Sequence, residues 1–123
     1  MPTEDRVQQF LGLVKSGQTI DALRNFYTDD ALQQENQQSP RRGIAELIKH
    51  EERMLASFER VQFQPTSVLI DGDRVAIRYI FSGTSRGREI RQDEVALQRW
   101  TGDRIAEEYF YYDPGQTRRS KST

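Results

Sequence analysis

The hydrophobic period of this chain changes once, and that change constrains the fold more than any single residue does. Up to Phe58 the apolar residues recur at helical spacing; beyond it they alternate. A period of 3.6 puts apolar side chains on one stripe of a helix, and a period of 2 puts them on one face of a strand. Val7, Phe10, Leu11 and Val14 make such a stripe, with Thr3 as the expected N-cap. Glu4 and Asp5 suit the positive end of that helix, and Ser16-Gly17 ends it. A second, shorter helix takes Thr19 as its cap and turns Ile20, Leu23 and Phe26 inward, until Thr28-Asp29-Asp30 breaks it. A third opens at Gly43 and carries Ile44, Leu47, Ile48, Met54, Leu55 and Phe58 on one face. Between them, the amide-rich stretch Ala31 to Pro40 reads as a solvated loop, or as a short strand over Ala31 to Asn36 followed by a loop.

After Phe58, Val61, Phe63, Val68 and Ile70 alternate around Pro65, and Asp71-Gly72-Asp73 turns the chain. Val75, Ile77, Tyr79 and Phe81 alternate cleanly up to a second turn region, Gly83 to Gly87. Glu89 to Trp100 is a long strand, Thr101-Gly102-Asp103 a hairpin turn, and Arg104 to Asp113 the last strand. Helices that come first and strands that come later indicate an α+β fold with a mainly antiparallel sheet. A strongly bent sheet wrapped around three helices leaves a cone-shaped cavity between the layers. Residues 1–113 are expected to form a single domain. Pro114 to Thr123 carry no apolar residue and are expected to be a flexible polar tail.

Composition narrows the chemistry. The 123 residues include no Cys and one His, which excludes a disulfide framework, a thiolate nucleophile and Cys- or His-rich metal sites. A formal net charge of -1 argues against a nucleic-acid binder. No apolar run approaches the roughly 18 residues of a membrane span, and the polar, acidic N-terminus does not read as a signal peptide. The expectation is a cytoplasmic protein with no cofactor, metal, nucleic-acid or membrane partner.

Four segments look familiar in their order and spacing. They are Phe26-Tyr27-Thr28-Asp29-Asp30-Ala31, Arg42-Gly43-Ile44, Val75 to Tyr79 followed by Ser82-Gly83-Thr84, and Trp100 to Glu108 continuing through Tyr111-Tyr112-Asp113. Over residues 5 to 114 the chain resembles the nuclear transport factor 2-like superfamily, and within it the SnoaL-like branch related to ketosteroid isomerases and polyketide cyclases. The resemblance implies three N-terminal helices packed in a strongly bent sheet. It does not imply one activity, because that fold hosts isomerases, cyclases, epoxide hydrolases and non-enzymatic domains. The isomerase general base falls on Glu35, but the two oxyanion donors fall on Phe10 and Ala96. The charged set of the epoxide hydrolases falls on Tyr79, Phe81 and Phe110, and the cyclase acid again on Phe110. Without those donors and charges, the best-known chemistries of the fold lose their largest stabilising terms.

Strand parity supplies a pocket list. Val75, Ile77, Tyr79 and Phe81 face inward if the apolar parity does, joined by Ala106, Glu108, Phe110 and Tyr112 from the last strand. From the strand before it come Gln92, Glu94, Ala96, Gln98 and Trp100; this choice follows the resemblance, and the alternative turns Val95 and Leu97 inward. Glu51 projects near the middle of the third helix's apolar stripe, so it needs a partner or a wet cavity, while His50 flanks the stripe. The principal reading is a domain that binds a small hydrophobic molecule through Tyr79, Phe81, Gln98, Trp100, Phe110, Tyr112 and Glu51. A second reading is an enzyme whose general acid and base are Glu35 or a Glu94/Glu108 pair; a third is a protein-interaction adaptor. Val95, Leu97, Tyr109 and Tyr111 would leave the outer sheet face apolar, which points to a homodimer through that face. Arg86, Arg88, Arg91, Arg118, Arg119 and Lys121 are interrupted by Glu89, Asp93 and Asp113 and read as solvated surface.

Overall fold

The structure is a computed structural model, which describes residues 1–119. The chain runs α1 (Glu4–Lys15), α2 (Thr19–Phe26), β1 (Tyr27–Glu35), β2 (Arg41–Arg42), α3 (Ile44–Ala56), β3 (Arg60–Asp71), β4 (Arg74–Ser85), β5 (Arg88–Thr101), β6 (Arg104–Tyr112) and α4 (Gly115–Arg119). The described strands make one open six-stranded sheet in the order β2-β1-β6-β5-β4-β3. All neighbours are antiparallel except β1 and β6, which run parallel. The α+β architecture is as the periodicity indicates. No helix is long and apolar enough to cross a membrane among the described residues.

The helices form where their stripes lie. Thr3 Oγ1 accepts from the Arg6 amide at 3.0 Å and caps α1, whose Val7, Phe10, Leu11 and Val14 are buried. Thr19 is not the cap of α2. It is the first helical residue, and its hydroxyl is buried without a hydrogen-bond partner. α2 passes into β1 without a loop, so Thr28-Asp29-Asp30 ends the helix by becoming strand. The amide-rich stretch is strand as far as Glu35, because it has neighbours on both sides: β2 pairs with Leu32 and Gln33, and β6 pairs with Leu32 through Glu35. An isolated polar strand would have no reason to form; pairing of its backbone on both edges supplies one.

Two irregularities shape the inner surface. Arg99 pairs with Glu107 but Trp100 pairs with Ile105, so Ala106 is the extra residue of a β-bulge. The bulge reverses the parity of β6, burying Ile105 beside Trp100 where alternation puts Ala106. Parity on β5 holds: Ala96, Gln98 and Trp100 are buried while Val95 and Leu97 are exposed. The second irregularity is α4, which replaces the flexible tail over residues 115–119; the rest of that tail, 120–123, lies outside the described residues. β6 ends opposite Glu94, one residue short of Asp93. The Gln116 side chain takes over there, accepting from the Asp93 amide at 2.8 Å and donating to its carbonyl at 3.1 Å.

Gly83 of β4 lies directly under the ring of Phe58, which sits in the connection between α3 and β3. A Cβ there would stand 2.7 Å from Phe58 Cδ1, in a cluster where Phe58 and Phe63 both lie against Phe81 with ring centroids at 5.3 and 5.1 Å. Gly83→Ala is therefore expected to lower stability by about 1–3 kcal/mol, the range for overpacking, seen as a fall in melting temperature. An unchanged melting temperature would mean that the Phe58 ring moves aside freely.

Candidate functional site

Helices and sheet line two adjoining chambers that share five wall residues. The outer chamber, about 430 Å³, has aromatic walls from Phe58, Phe63, Phe81, Phe110 and Tyr112, and Arg88 and Thr117 at its margin. The inner chamber, about 70 Å³, lies against Phe10, Val14 and Leu23 of the helices. Glu51, Glu94, Gln33, Phe63 and Phe110 line both chambers.

Glu108 anchors the inner end. It is 1% exposed and sits on β6 directly between Gln33 of β1 and Gln98 of β5. Gln33 Nε2 donates to its Oε1 at 2.8 Å, Gln98 Nε2 to its Oε2 at 2.7 Å, and the Tyr27 hydroxyl donates to Oε1. The amide orientations are forced from outside. Trp100 Nε1 donates to Gln98 Oε1 at 2.9 Å and Arg41 Nε donates to Gln33 Oε1 at 3.0 Å. Indole and guanidinium nitrogens only donate, so each glutamine must present its NH₂ to Glu108. Burial still pushes the Glu108 carboxyl above the ordinary glutamate value, with the three donors pulling the other way.

Glu35 belongs to a separate, outer group. Arg41 Nη1 lies 3.2 Å from its Oε2, His50 Nε2 lies 3.7 Å from the same oxygen, and the Tyr112 hydroxyl donates to Oε1 at 3.5 Å. Burial and the Arg41 charge lower the His50 pKa, and burial with Glu35 pushes Tyr112 up to about 12. Glu51 and Glu94 stand between the two groups. Burial raises both, Glu94 to about 7, and Glu94 gains only one donor, Gln92 Nε2 at 3.0 Å. Thr19 Oγ1 lines the same chamber close enough to Glu51 to temper its pKa, although no hydrogen bond of normal geometry closes between them.

Of the residues singled out from sequence, Glu35, Glu51, Glu94, Phe81, Phe110 and Tyr112 line the outer chamber, and Tyr79 and Glu108 line the inner one. Gln98 and Trp100 do not reach either chamber; they stand behind Glu108 and orient it. Glu94 and Glu108 do not form a facing pair, because the register sets Glu94 opposite Tyr112 and Glu108 opposite Gln98. Tyr27, Gln33, Arg41 and Phe63 went unpredicted as site residues. Gln33 and Arg41 lie in or beside the polar stretch whose period carries no signal. Tyr27 reads as the end of a helix, and only the parallel β1–β6 pairing brings it to Glu108.

The sequence profile of the SnoaL-like domain matches residues 7–108. No curated protein matches the chain. Among solved structures, a candidate SnoaL-like polyketide cyclase from Mesorhizobium loti is similar at 24% identity, over 91% of this chain and 100% of that one, with a TM-score of 0.77. A candidate polyketide cyclase from Streptomyces antibioticus is similar at 18% identity, over 97% of each chain, with a TM-score of 0.79. An M. tuberculosis LEH-like epoxide hydrolase is similar at 18% identity, over 94% of this chain and 86% of that one, with a TM-score of 0.75. At these identities the likeness is one of fold.

The raised pKa of Glu94 links stability to pH. Its neutral form is favoured in the folded state, so the associated stability is complete below the ordinary value of 4.5 and is lost as pH rises through about 7. The loss is on the order of 3 to 3.5 kcal/mol above pH 8, at about 1.4 kcal/mol per pKa unit. Glu94→Gln removes it. The melting temperature of the variant, minus that of the wild type, is expected to grow by several degrees between pH 4 and pH 8; a gap that stays flat would show a carboxyl with its ordinary pKa.

Proposed function

The chain belongs to the SnoaL-like domain family, and on that premise we propose that it binds a small, largely apolar molecule in its two adjoining chambers. The observation that carries this reading is the outer chamber itself. It offers about 430 Å³ with aromatic rings of Phe58, Phe63, Phe81, Phe110 and Tyr112 in its wall, and polar groups from β1, β2, α3, β5 and α4 set among them. Such a distribution suits ligand binding: apolar walls supply affinity and a few convergent polar groups fix orientation. Tyr79, Phe81, Phe110, Tyr112 and Glu51 are the expected ligand contacts, with Phe63 added by the geometry. N-phenyl-1-naphthylamine, a neutral apolar fluorophore, is expected to gain fluorescence on binding with a micromolar Kd. Met54→Trp, which fills the outer chamber from α3, should weaken that binding about tenfold or more, or about 1.4 kcal/mol. Equal binding by both proteins would place the probe elsewhere and remove the reading.

Glu94 favours a second reading, proton transfer on the bound molecule. A carboxyl with a pKa of about 7 is divided between acid and base at neutral pH, as general acid–base work requires. Glu35 suits that role less because Arg41 engages it, and Glu108 less because three donors enclose it. By the family resemblance the oxyanion-donor positions fall on Phe10 and Ala96, whose side chains have no donor to offer, so a reaction here would draw its stabilising donors from other groups.

We also propose that two copies associate through the outer sheet face. Val95, Leu97 and Tyr111 are exposed, and the register sets Val95 beside Tyr111 and Leu97 beside Tyr109 in one contiguous patch. A second copy would bury this patch. Light scattering at micromolar concentration is expected to return twice 14.4 kDa, and Tyr111→Lys to shift the population toward monomer. A wild type that remains monomeric overturns the proposal.

A further inference from the structure

The polar atoms at the inner end of the cavity are mostly acceptors that lack a cation. Glu51 enters from α3, Glu94 from β5 and Glu108 from β6, and all three line the inner chamber. Among the described residues none of the three forms an ion pair. The Arg41 guanidinium is engaged by Glu35 and Gln33, Arg88 is exposed at the outer chamber, and burial disfavours the charged form of His50. The remaining titratable groups facing the cavity are Tyr27, Tyr79 and Tyr112; the facing parts of α1, α2 and β3 bring no charge.

A hydroxyl in the same chamber also lacks a partner. Thr19 Oγ1, on a residue 8% exposed, has no hydrogen-bond partner of normal geometry, and the Tyr79 side chain lines the chamber beside it. The Thr19 hydroxyl retains lone pairs to offer. A buried polar group without a partner costs free energy, so a chamber built this way is completed by whatever supplies donors and positive charge. A metal ion does not fit, because no three Asp, Glu or His side chains among the described residues are arranged to hold one. An alcohol supplies a single donor and no charge. A protonated primary amine supplies three N–H donors and a full charge, and an ammonium group is compatible with about 70 Å³. Phe63 and Phe110 line both chambers, and aromatic rings beside a cation add to its attraction.

We infer that the ligand of this cavity is a protonated amine with an apolar body, its ammonium group held in the inner chamber by Glu51 and Glu94 and its body in the outer chamber. This rests on the cavity-binding reading and adds the class of molecule bound. Any proton held by Glu94 or Glu51 passes to solvent when the ammonium enters, so affinity rises with pH while the amine stays protonated.

Calorimetric titration with benzylamine and 1-aminoadamantane, against benzyl alcohol and 1-adamantanol, tests the inference. At pH 8 the amines are expected to bind about tenfold tighter than the alcohols or more, a difference of about 1.4 kcal/mol. The advantage should shrink at pH 5.5, and heats in two buffers of different ionisation enthalpy should report proton release near pH 6.5. Glu94→Gln and Glu51→Gln should each weaken the amines about tenfold and leave the alcohols within about twofold, with melting curves confirming the fold. Alcohols that bind as tightly as amines overturn the inference and leave the cavity reading standing. Amine binding that is indifferent to both substitutions also overturns it, because the ammonium then lies elsewhere. Failure of all four probes removes the cavity reading and the inference together.

Discussion

A carboxylate buried in the middle of a sheet has to be answered by its neighbours, and in this protein the answer organises three strands. Glu108 is held by Gln33, Gln98 and Tyr27, and the two glutamines are held in turn by Arg41 and Trp100. Breaking one member would leave a buried polar group unsatisfied, the expensive outcome for any such network. The network therefore favours one register for β1 against β6 and for β6 against β5. The parallel β1–β6 pairing draws its specificity from this source, because the polar β1 strand has little apolar pattern to align it.

That anchoring places the acid end of the cavity. With Glu108 fixed, the inward rows of β5 and β6 are set: Glu94 and Gln92 above Ala96 and Gln98 on one strand, Phe110 and Tyr112 above Glu108 on the other. The bulge at Ala106 lets Ile105 and Trp100 close the floor against Phe10, whose ring meets the Trp100 ring edge-on at 6.2 Å. Aromatic rings of β3, β4 and β6 then surround the open side. The result sets the aromatic rings of Phe63, Phe81 and Phe110 beside a group of carboxyls, Glu51, Glu94 and Glu108.

The outer surface of the same strands shows the complementary arrangement. Arg78 pairs with Asp93, its Nε 2.9 Å from Oδ1, and Arg99 pairs with Glu107 at 3.1 Å. These exposed pairs contribute little to stability individually. Their effect is to frame Val95, Leu97 and Tyr111 with charge, so that the apolar strip on this face is narrow and bounded.

Periodicity alone determined the helices, the long antiparallel strands and the α+β class, because burying one face of a helix or strand leaves a repeat that any chain must carry. The resemblance chose the inward parity of β5 and singled out Glu35, while strand alternation placed Tyr79, Phe81 and Phe110 on the inner surface. The facing of Glu51 was legible as a charge in an apolar stripe. Tertiary structure decided the rest, and each case has a physical reason. β1 is strand because neighbours pair with both its edges, which no local pattern records. Ile105 replaces Ala106 inside because an unpaired residue shifts the parity, and alternation does not show where a bulge falls. Gln98 and Trp100 point inward, yet they serve Glu108 rather than the cavity, since facing inward does not say what lies between a side chain and the open space. α4 docks through Gln116, a polar contact invisible to hydrophobic spacing. Whether a carboxylate ends in an ion pair, in a shell of donors or on a cavity wall depends on atoms brought together from distant parts of the chain, and only the folded arrangement of Glu35, Glu94 and Glu108 distinguishes the three.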